Sequence, residues 1–355
     1  RSSRALERSP NMAGKPALII SLSLLTTAFI SSCSSLGPSA AFASNDKAPN
    51  SSTSPTSPQN QSIKKSPKPR IVSLAPSNTE LLCSIGAKDQ IIGVSSFCDY
   101  PKEVAGIAKV GTFISANLER LARLKPDLVM LVSGQEELAG KIKNHHLQVA
   151  VIDNSKLTDI GKNLKRIGEL SGHCQEGAEA SEKFAEKLQD LATIIRKAKR
   201  SPKVFYCVWP QPLMTAGRSS FIHGIITSCG GINVAEDIAV SYPRFSLERL
   251  VLSNPDLIIM PYEAHNQTFM KQSPWNKLQA VRQNHVYYLP DQKNDMLSRP
   301  TLRVIKGMAW LGGIFHPELK SELVTWAETT TAKETINHSL LPAARNSLNN
   351  VYVKN

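Results

Sequence analysis

The sequence lacks the short motifs that mark common enzyme and metal sites. No G-x-S-x-G, H-E-x-x-H or Walker sequence occurs in its 355 residues, so nothing indicates a nucleophile elbow, a zinc protease helix or a phosphate-binding loop. No C-x-x-C pair occurs among the six cysteines, which argues against a thiolate metal site. Ser96 and Asp99 could imitate part of a hydrolase site, but an ordered triad is missing. The residues therefore predict a protein that is not an enzyme, with a hydrolase kept as an alternative.

A continuous basic stripe is also missing, although the formal net charge is +13. Residues 1–70 hold nine Lys/Arg and two Asp/Glu, a net of +7, which leaves 13 − 7 = +6 for the remainder. The basic residues of that remainder are scattered among acidic ones and are not interleaved with aromatic residues. This distribution predicts that nucleic acid is not a partner.

The apolar run near the start of the chain is too short to span a bilayer comfortably, and it is typical of an export signal. Lys15 supplies positive charge just before the apolar residues 17–30. Ile30-Ser31-Ser32-Cys33 resembles a bacterial lipoprotein box, in which Cys33 would become the lipidated N-terminus. Ala41-Phe42-Ala43 offers an ordinary cleavage site as the competing interpretation. Both interpretations export the protein, to the periplasm or to the cell membrane as a lipid-anchored protein.

The cysteines of an exported chain meet an oxidising compartment. If Cys33 carries lipid, five cysteines remain, so at least one must be a free thiol. Cys83 and Cys98 lie close enough in sequence to bridge a helix to the following loop, or they are small buried hydrophobes. The pairing stays open among the remaining thiols: Cys83, Cys98, Cys174, Cys207 and Cys229.

An internal repeat organises the rest of the chain. Asn117-Leu118-Glu119-Arg120-Leu121, followed by residues 124–130, recurs as Ser246-Leu247-Glu248-Arg249-Leu250, followed by residues 253–259. The offset is constant, as in 248 − 119 = 129. A period of this length exceeds that of solenoid or propeller repeats, so it predicts two similar α/β domains.

Each copy of the repeat predicts a short helix that leads into a strand. The first residue, Asn117 or Ser246, can cap the helix, and the Glu two residues later lies in the first turn, where the helix dipole favours an anion. The Pro of each copy ends the helix before an apolar run of strand length.

The order of patterns along the chain predicts six segments. A signal or lipoprotein segment with upstream residues (1–43) precedes a disordered linker rich in Ser, Pro, Asn, Gln and Lys (44–69). Alternating strands and helices predict an N-terminal α/β lobe over 70–172 and a C-terminal lobe over 202–316, each with a parallel sheet. A helical pattern without proline predicts one connecting helix over 173–201, about 35 to 40 Å long. The polar residues 317–355 are interpreted as an appended tail.

These landmarks resemble the substrate-binding proteins of bacterial ABC importers for cobalamin, ferric siderophores and haem, and most of all the cobalamin-binding group. The resemblance covers residues 70–317. It implies two Rossmann-like lobes joined by a single long helix, little closure on binding, a monomer and no cofactor. The markers are Ile71-Val72-Ser73-Leu74-Ala75-Pro76-Ser77, Cys98-Asp99-Tyr100-Pro101, the two repeat copies, Thr215-Ala216-Gly217 and Cys229-Gly230-Gly231.

The resemblance implies that a corrinoid lies between the lobes, beyond the carboxyl ends of the strands. The positions that match the family's ligand contacts are Tyr100 and Phe113 in the first lobe and Trp209 and Tyr242 in the second. Flat aromatic faces suit a large macrocycle. Phe113 and Val132 stand where cobalamin binders often carry Trp.

The resemblance also implies a membrane partner. Glu119 and Glu248 match the glutamates that contact arginines on the two halves of an ABC permease dimer, which works with its ATPase subunits. The lipid on Cys33 would hold the protein at the membrane.

Two other ligand classes are kept as alternatives. Haem could be ligated by Tyr100 or Tyr242. A ferric siderophore would favour cationic residues in the cleft, for which the candidates are Arg218, Arg244 and Arg299. No metal site is predicted, since the histidines do not converge on one cleft edge, although His223 and His265 could approach it.

Overall fold

The computed structural model describes residues 68–265 and 268–328. The predicted signal segment with Cys33, the cleavage site after Ala43 and nearly all of the predicted linker lie outside the described residues. Residues 329–355 of the predicted tail lie outside them as well.

The first lobe contains a parallel sheet between helices. Within residues 70–172 the strands are β1 (Ile71–Ser73), β2 (Ile91–Ser95), β3 (Lys109–Gly111), β4 (Leu128–Val132) and β5 (Val149–Ile152). They pair in the order β3-β2-β1-β4-β5, and every neighbouring pair is parallel. The helices are α1 (Pro76–Ser84), α2 (Leu118–Arg123), α3 (Glu136–Asn144) and α4 (Asp159–Ser171). The apolar runs of β1 and β4 are buried, as expected for central strands of a sheet covered on both faces.

The second lobe repeats this plan with one antiparallel edge. Its strands are β6 (Lys203–Pro210), β7 (Leu213–Thr215), β8 (Ile232–Asn233), β9 (Leu257–Pro261) and β10 (Val286–Leu289). The order is β10-β9-β6-β7, where β7 runs antiparallel to β6, and β8 pairs with β6 in parallel. The helices are α6 (Phe221–Ser228), α7 (Leu247–Ser253), α8 (Gln279–Arg282), α9 (Asp291–Ser298) and α10 (Val304–Phe315).

The connecting helix α5 (Cys174–Ile195) has 22 residues, which corresponds to about 33 Å. It packs along α4, and this approach needs glycine, because a Cβ on Gly177 would lie 2.5 Å from the carbonyl oxygen of Leu164. At its other end Ile195 lies against Gly312 of α10. The helix ends before the predicted boundary at 201, since the exposed basic residues after Ile195 offer little apolar surface to continue its buried stripe.

The two lobes share one hydrophobic core. One cluster of buried side chains includes Leu82 and Ile160 of the first lobe together with Ile225 and Met308 of the second. Two further clusters lie on the other faces of the two sheets. Moving the lobes apart would expose this shared apolar surface at about 25 cal/mol per Å², so the core resists large relative motion.

The structure confirms that both copies of the repeat are capped helices. The side chain of Asn117 accepts a hydrogen bond of 2.8 Å from the backbone N–H of Arg120 at the start of α2. Ser246 accepts the equivalent bond of 3.1 Å from Arg249 at the start of α7. Each cap satisfies one of the free donors at a helix N-terminus.

The Asp of each repeat copy ties the copy to the first strand of its lobe. Asp127 accepts a hydrogen bond of 2.7 Å from the backbone N–H of Arg70, just before β1. Asp256 accepts one of 2.7 Å from Lys203 at the start of β6. The repeat therefore recurs because each lobe uses the same Pro-Asp sequence to fix a helix, a strand and the neighbouring strand.

Residues 317–328 belong to the second lobe and are not part of an appended tail. Residues 320–328 are helical, and Leu319 and Leu323 are buried against the shared core. The structure also contains α4, whose buried Ile160, Leu164 and Ile167 recur at helical spacing, and α9. The apolar pattern of residues 299–311 predicts a helix that begins at Arg299, whereas α10 begins at Val304, because Pro300 disfavours helix at the residue before it.

Candidate functional site

The carboxyl ends of the parallel strands lead into the loops that carry the predicted site residues. β2 leads to Tyr100 and β3 to Phe113, while β6 ends next to Trp209. Open α/β sheets bind ligands beyond these ends. Tyr100 and Phe113 therefore lie in loops that follow strand ends, and Trp209 is the second-last residue of β6.

Phe113 lies at the tip of a tight turn. The backbone N–H of Thr112 donates to the carbonyl of Ser115 at 2.7 Å, and the two hydroxyls lie 3.0 Å apart. The amide of the buried Gln135, which follows β4, donates to the carbonyl of Phe113. The turn is held from two sides, so the half-buried ring of Phe113 has a defined position.

Tyr100 and Trp209 are exposed aromatic rings, at 45% and 41% exposure. The indole N–H of Trp209 donates to the carbonyl of Gln211 at 2.7 Å, which fixes the ring at the end of the β6–β7 hairpin. Large apolar rings with this exposure are natural contact surfaces for a ligand.

Tyr242 is placed by backbone pairing of its segment with the end of β7. Thr215 N–H donates to the carbonyl of Pro243 at 3.1 Å, and Gly217 N–H donates to the carbonyl of Ser241 at 2.9 Å. Only glycine permits this approach, since a Cβ on Gly217 would lie 2.0 Å from the carbonyl oxygen of Val240. Burial raises the pKa of Tyr242 to about 12. Its hydroxyl is therefore neutral at physiological pH.

The structure does not bring the four predicted aromatic residues into ring contact with one another within the described part of the chain. Instead, Tyr100 reaches the opposite lobe. Its ring lies under the guanidinium of Arg303, 3.9 Å from the ring centroid. This cation–π contact joins the loop after β2 to the start of α10.

Next to the contact between Tyr100 and Arg303 lies a cluster of charged side chains that the sequence did not predict. The carboxylate of Glu80 in α1 is buried, with 4% of its side chain exposed. It accepts two hydrogen bonds from Arg303, at 2.8 and 2.6 Å, and one from Arg299 at 3.1 Å. Arg299 also pairs with Asp99 at 2.7 Å and with Asp295 at 3.0 Å. We call these five residues the interlobe cluster.

The interlobe cluster has more negative than positive groups. Three carboxylates face two guanidinium groups, a formal sum of −1. Burial by itself would lower the pKa of Arg299, but the hydrogen bond to Asp99 and the nearby carboxylates outweigh it and raise that pKa. Burial raises the pKa of Asp295, partly offset by the charge of Arg299. Arg299 was a candidate siderophore contact, yet its charge is already compensated by protein.

No pattern in the sequence alone identifies the interlobe cluster. Glu80 lies more than two hundred positions from its arginine partners, and it reads as one acidic residue in a helix. The signal that could have been used is the i, i+4 spacing of Arg299 and Arg303 around Pro300, between α9 and α10.

A second group of rings lies in the second lobe and was also missed. Tyr262, just after β9, is 52% exposed and stacks on His265 with centroids 5.8 Å apart. The ring of His265 meets the ring of Tyr288 edge-on, with centroids 5.0 Å apart.

His223 lies in α6, where Asn233 contacts its ring nitrogen at 3.2 Å and burial lowers the pKa of His223. Across the described residues, no group of His, Cys, Asp and Glu could hold a metal ion.

Glu119 and Glu248 are exposed in the first turns of α2 and α7. In the described part of the chain neither carboxylate takes part in a salt bridge. Both are accessible to a partner at equivalent places on the two lobes.

The five cysteines of the described region are free thiols, so the structure does not contain a bridge between Cys83 and Cys98. Cys98 is buried, and its sulfur contacts the hydroxyls of Thr79 and Ser95 at 3.2 Å. Burial raises the pKa of Cys83 to about 12, so this thiol is unreactive at neutral pH.

Within residues 68–265 and 268–328, no helix is long and apolar enough to cross a bilayer.

The sequence matches a family model described as periplasmic binding protein over residues 71–293. A vitamin B12-binding protein of Vibrio parahaemolyticus is 29% identical over 244 residues, which cover 68% of this chain and 87% of the relative. YvrC of Bacillus subtilis, described as an uncharacterized ABC transporter substrate-binding lipoprotein, is 31% identical over 280 residues, 74% of this chain and 85% of the relative.

Solved structures of periplasmic binding proteins superpose on this chain as well. The periplasmic vitamin B12 binding protein BtuF of Vibrio cholerae superposes with a TM-score of 0.61 at 25% identity, and the match covers 75% of this chain and 98% of BtuF. The periplasmic heme-binding protein RhuT from Roseiflexus sp. RS-1 superposes with a TM-score of 0.64 at 20% identity, over 71% of this chain and 100% of RhuT. The second likeness shows the fold alone. Together these matches confirm the predicted two-lobe α/β fold.

Proposed function

Since this chain belongs to the periplasmic binding protein family of ABC importers, whose members are not enzymes and whose ligands are transported substrates, we propose that it binds a corrinoid between its lobes and delivers it to an importer. The B12-binding relatives support the corrinoid, while the haem-binding neighbour has the same fold. The choice between the two ligands therefore rests on the chemistry of the site.

The observation that carries the proposal is the charge balance of the interlobe cluster. Its two guanidinium groups are already paired with three carboxylates, so the cluster has no net positive charge to offer an anion. The propionates of haem and the acidic groups of many siderophores would meet carboxylates there. A corrinoid carries neutral amides around its ring, which can donate to carboxylates and accept from guanidinium groups. The cluster therefore favours a macrocycle with an amide periphery.

Four aromatic side chains, of which two are exposed and two are half-buried, support the same ligand. Tyr100 and Phe113 from the first lobe and Trp209 and Tyr242 from the second offer flat apolar surface to a large ring. Aromatic side chains bury much area at small entropic cost, since they have few rotatable bonds. We expect these four residues to contact the corrin.

Haem is the alternative that a specific observation favours, because Tyr100 is an exposed phenol near the cleft. Ligation of ferric haem by tyrosine needs the phenolate. The raised pKa of Tyr242 opposes this role for that residue. For a siderophore, the exposed Arg218 and Arg244 are the remaining candidate cations, since Arg299 is paired.

Delivery requires a membrane partner, and Glu119 with Glu248 is the proposed docking pair. Paired contacts at two separated points fix the orientation of the binding protein on a two-fold permease.

We also infer that Cys33 is lipidated; the lipoprotein relative YvrC supports this. Fatty-acid labelling of the full chain tests the anchor, and label retained by Cys33→Ala would rule it out.

Calorimetric titration with cyanocobalamin, haem and a ferric hydroxamate tests the ligand. We expect cyanocobalamin to bind with a dissociation constant between about micromolar and nanomolar, or about −8 to −12 kcal/mol. Trp209 is the exposed reporter, so corrinoid binding should quench tryptophan fluorescence in the native protein and quench it less in Trp209→Phe. Clear heat with haem or the hydroxamate, and none with cyanocobalamin, would overturn the corrinoid assignment.

A further inference from the structure

Glu80 is a buried acid whose partners all lie in the other lobe. It belongs to α1, whereas Arg299 directly follows α9 and Arg303 directly precedes α10. A buried carboxylate is costly unless it is paired and hydrogen-bonded. Three hydrogen bonds from Arg299 and Arg303 meet that requirement here. The fold therefore directs both arginines at Glu80, and the remaining donors of Arg299 pair with Asp99 and Asp295.

The arginines lie close to the proposed ligand surface. The guanidinium of Arg303 is 3.9 Å from the centroid of the Tyr100 ring. A macrocycle stacked on the free face of that ring would lie about 3.5 Å farther, so the charge would be about 7 Å from the ligand. At that distance one unit charge changes binding by about tenfold, between the limits for water and for a protein surface. The net charge of the interlobe cluster therefore changes the affinity of the cleft for a charged ligand.

From this geometry we propose that Glu80 sets the charge selectivity of the cleft: by occupying the donors of Arg299 and Arg303 it excludes anionic macrocycles and admits neutral ones. Glu80 acts through the arginines, so it is a positioning residue. The inference rests on the proposed function, because it needs a ligand on Tyr100. Beyond the proposed function, Glu80 is the residue that makes the cleft reject a carboxylate-bearing ring of the same size.

The test uses pairs of ligands that share a ring and differ in charge. Cyanocobalamin is the reference ligand; cobyrinic acid, whose corrin carries carboxylates in place of amides, is compared with its methyl ester, and haem is compared with its dimethyl ester. Affinities are measured by calorimetry for the native protein, Glu80→Gln and Glu80→Asp. The control is Glu322→Gln, which removes an equal charge from the exposed pair with Lys197.

We expect the native protein to prefer the neutral member of each pair. Glu80→Gln keeps one acceptor oxygen and removes the charge, so it should reduce this preference by about tenfold, mainly through tighter binding of the anionic member. Glu80→Asp keeps the charge and should retain most of the preference. Glu322→Gln should leave the preference unchanged.

Two results would overturn the proposal: an unchanged preference in Glu80→Gln, or an equal loss of affinity for both members, which a structural role would produce. If Glu80→Gln does not fold, Asp99→Asn removes a half-exposed carboxylate from the same Arg299 and must shift the preference in the same direction. If neither corrinoid binds and haem does, the proposed function fails. The haem and ester pair still decides the role of Glu80.

Discussion

Removing Glu119 and Glu248 together separates docking from folding and from ligand binding. Both residues are exposed, lie in matched first turns and take part in no salt bridge in the described part of the chain. Their helices keep the caps from Asn117 and Ser246 after the change. The double substitution to alanine should therefore act on the partner and leave this chain intact.

The expected sizes of the two effects differ enough to be told apart. Loss of an acidic residue from a helix first turn costs a few tenths to about 1 kcal/mol. A charge-assisted contact with a permease arginine is worth about 1.5 to 3 kcal/mol once solvent is excluded. Two such contacts on separate lobes should add, so the double variant should bind the permease with an affinity lower by about a hundredfold or more.

The assay is stimulation of the transporter ATPase in proteoliposomes, titrated with the ligand-loaded binding protein. The matched control is Glu137→Ala with Glu176→Ala, which removes two exposed first-turn acids from α3 and α5. The control should retain stimulation. Melting temperature and ligand affinity should be nearly native in both double variants. Normal stimulation by Glu119→Ala with Glu248→Ala, or a loss of several kcal/mol in folding stability, would show that these residues are structural and refute the reasoning.

Three further predictions concern stability, measured by urea unfolding. Leu323→Ala should cost about 2 to 4 kcal/mol, because Leu323 is fully buried, whereas the exposed Val324→Ala should cost under about 0.5 kcal/mol; equal effects would place this helix outside the core. Asp127→Asn and Asp256→Asn should each cost about 1 kcal/mol through the weakened bond to a strand N–H, and a change in only one lobe would contradict their equivalence. Burial raises the pKa of Tyr242 from 10 to about 12. The neutral hydroxyl therefore contributes fully to the free energy of unfolding below pH 10, and about 2 kcal/mol of this contribution is lost as the pH rises toward 12. Tyr242→Phe should flatten this alkaline decline, and an identical pH profile would disprove the assignment.

Local signals in the sequence were sufficient for most of the architecture. The repeat built on Glu119 and Glu248 predicted two similar lobes, because capping, helix arrest at Pro and the apolar strand are all short-range effects. Local patterns predict strands over residues 128–132 and 286–289 and a helix over 136–144, and β4, β10 and α3 have these bounds. The positions of Tyr100, Phe113, Trp209 and Tyr242 at strand ends follow from the same local patterns and from the family resemblance.

Tertiary structure alone decided the features that depend on distant partners. Leu323 looks like one apolar residue in a polar segment, and only packing against Gly312 shows that it completes the core. Glu80 looks like an ordinary helix acid until Arg299 and Arg303 approach it from the other lobe. Hydrogen bonds and charge pairing act over a few ångströms, and sequence separation of more than two hundred residues hides them. The sequence therefore determined the lobes, whereas the contact between the lobes, and with it the charge of the cleft, was decided by the fold.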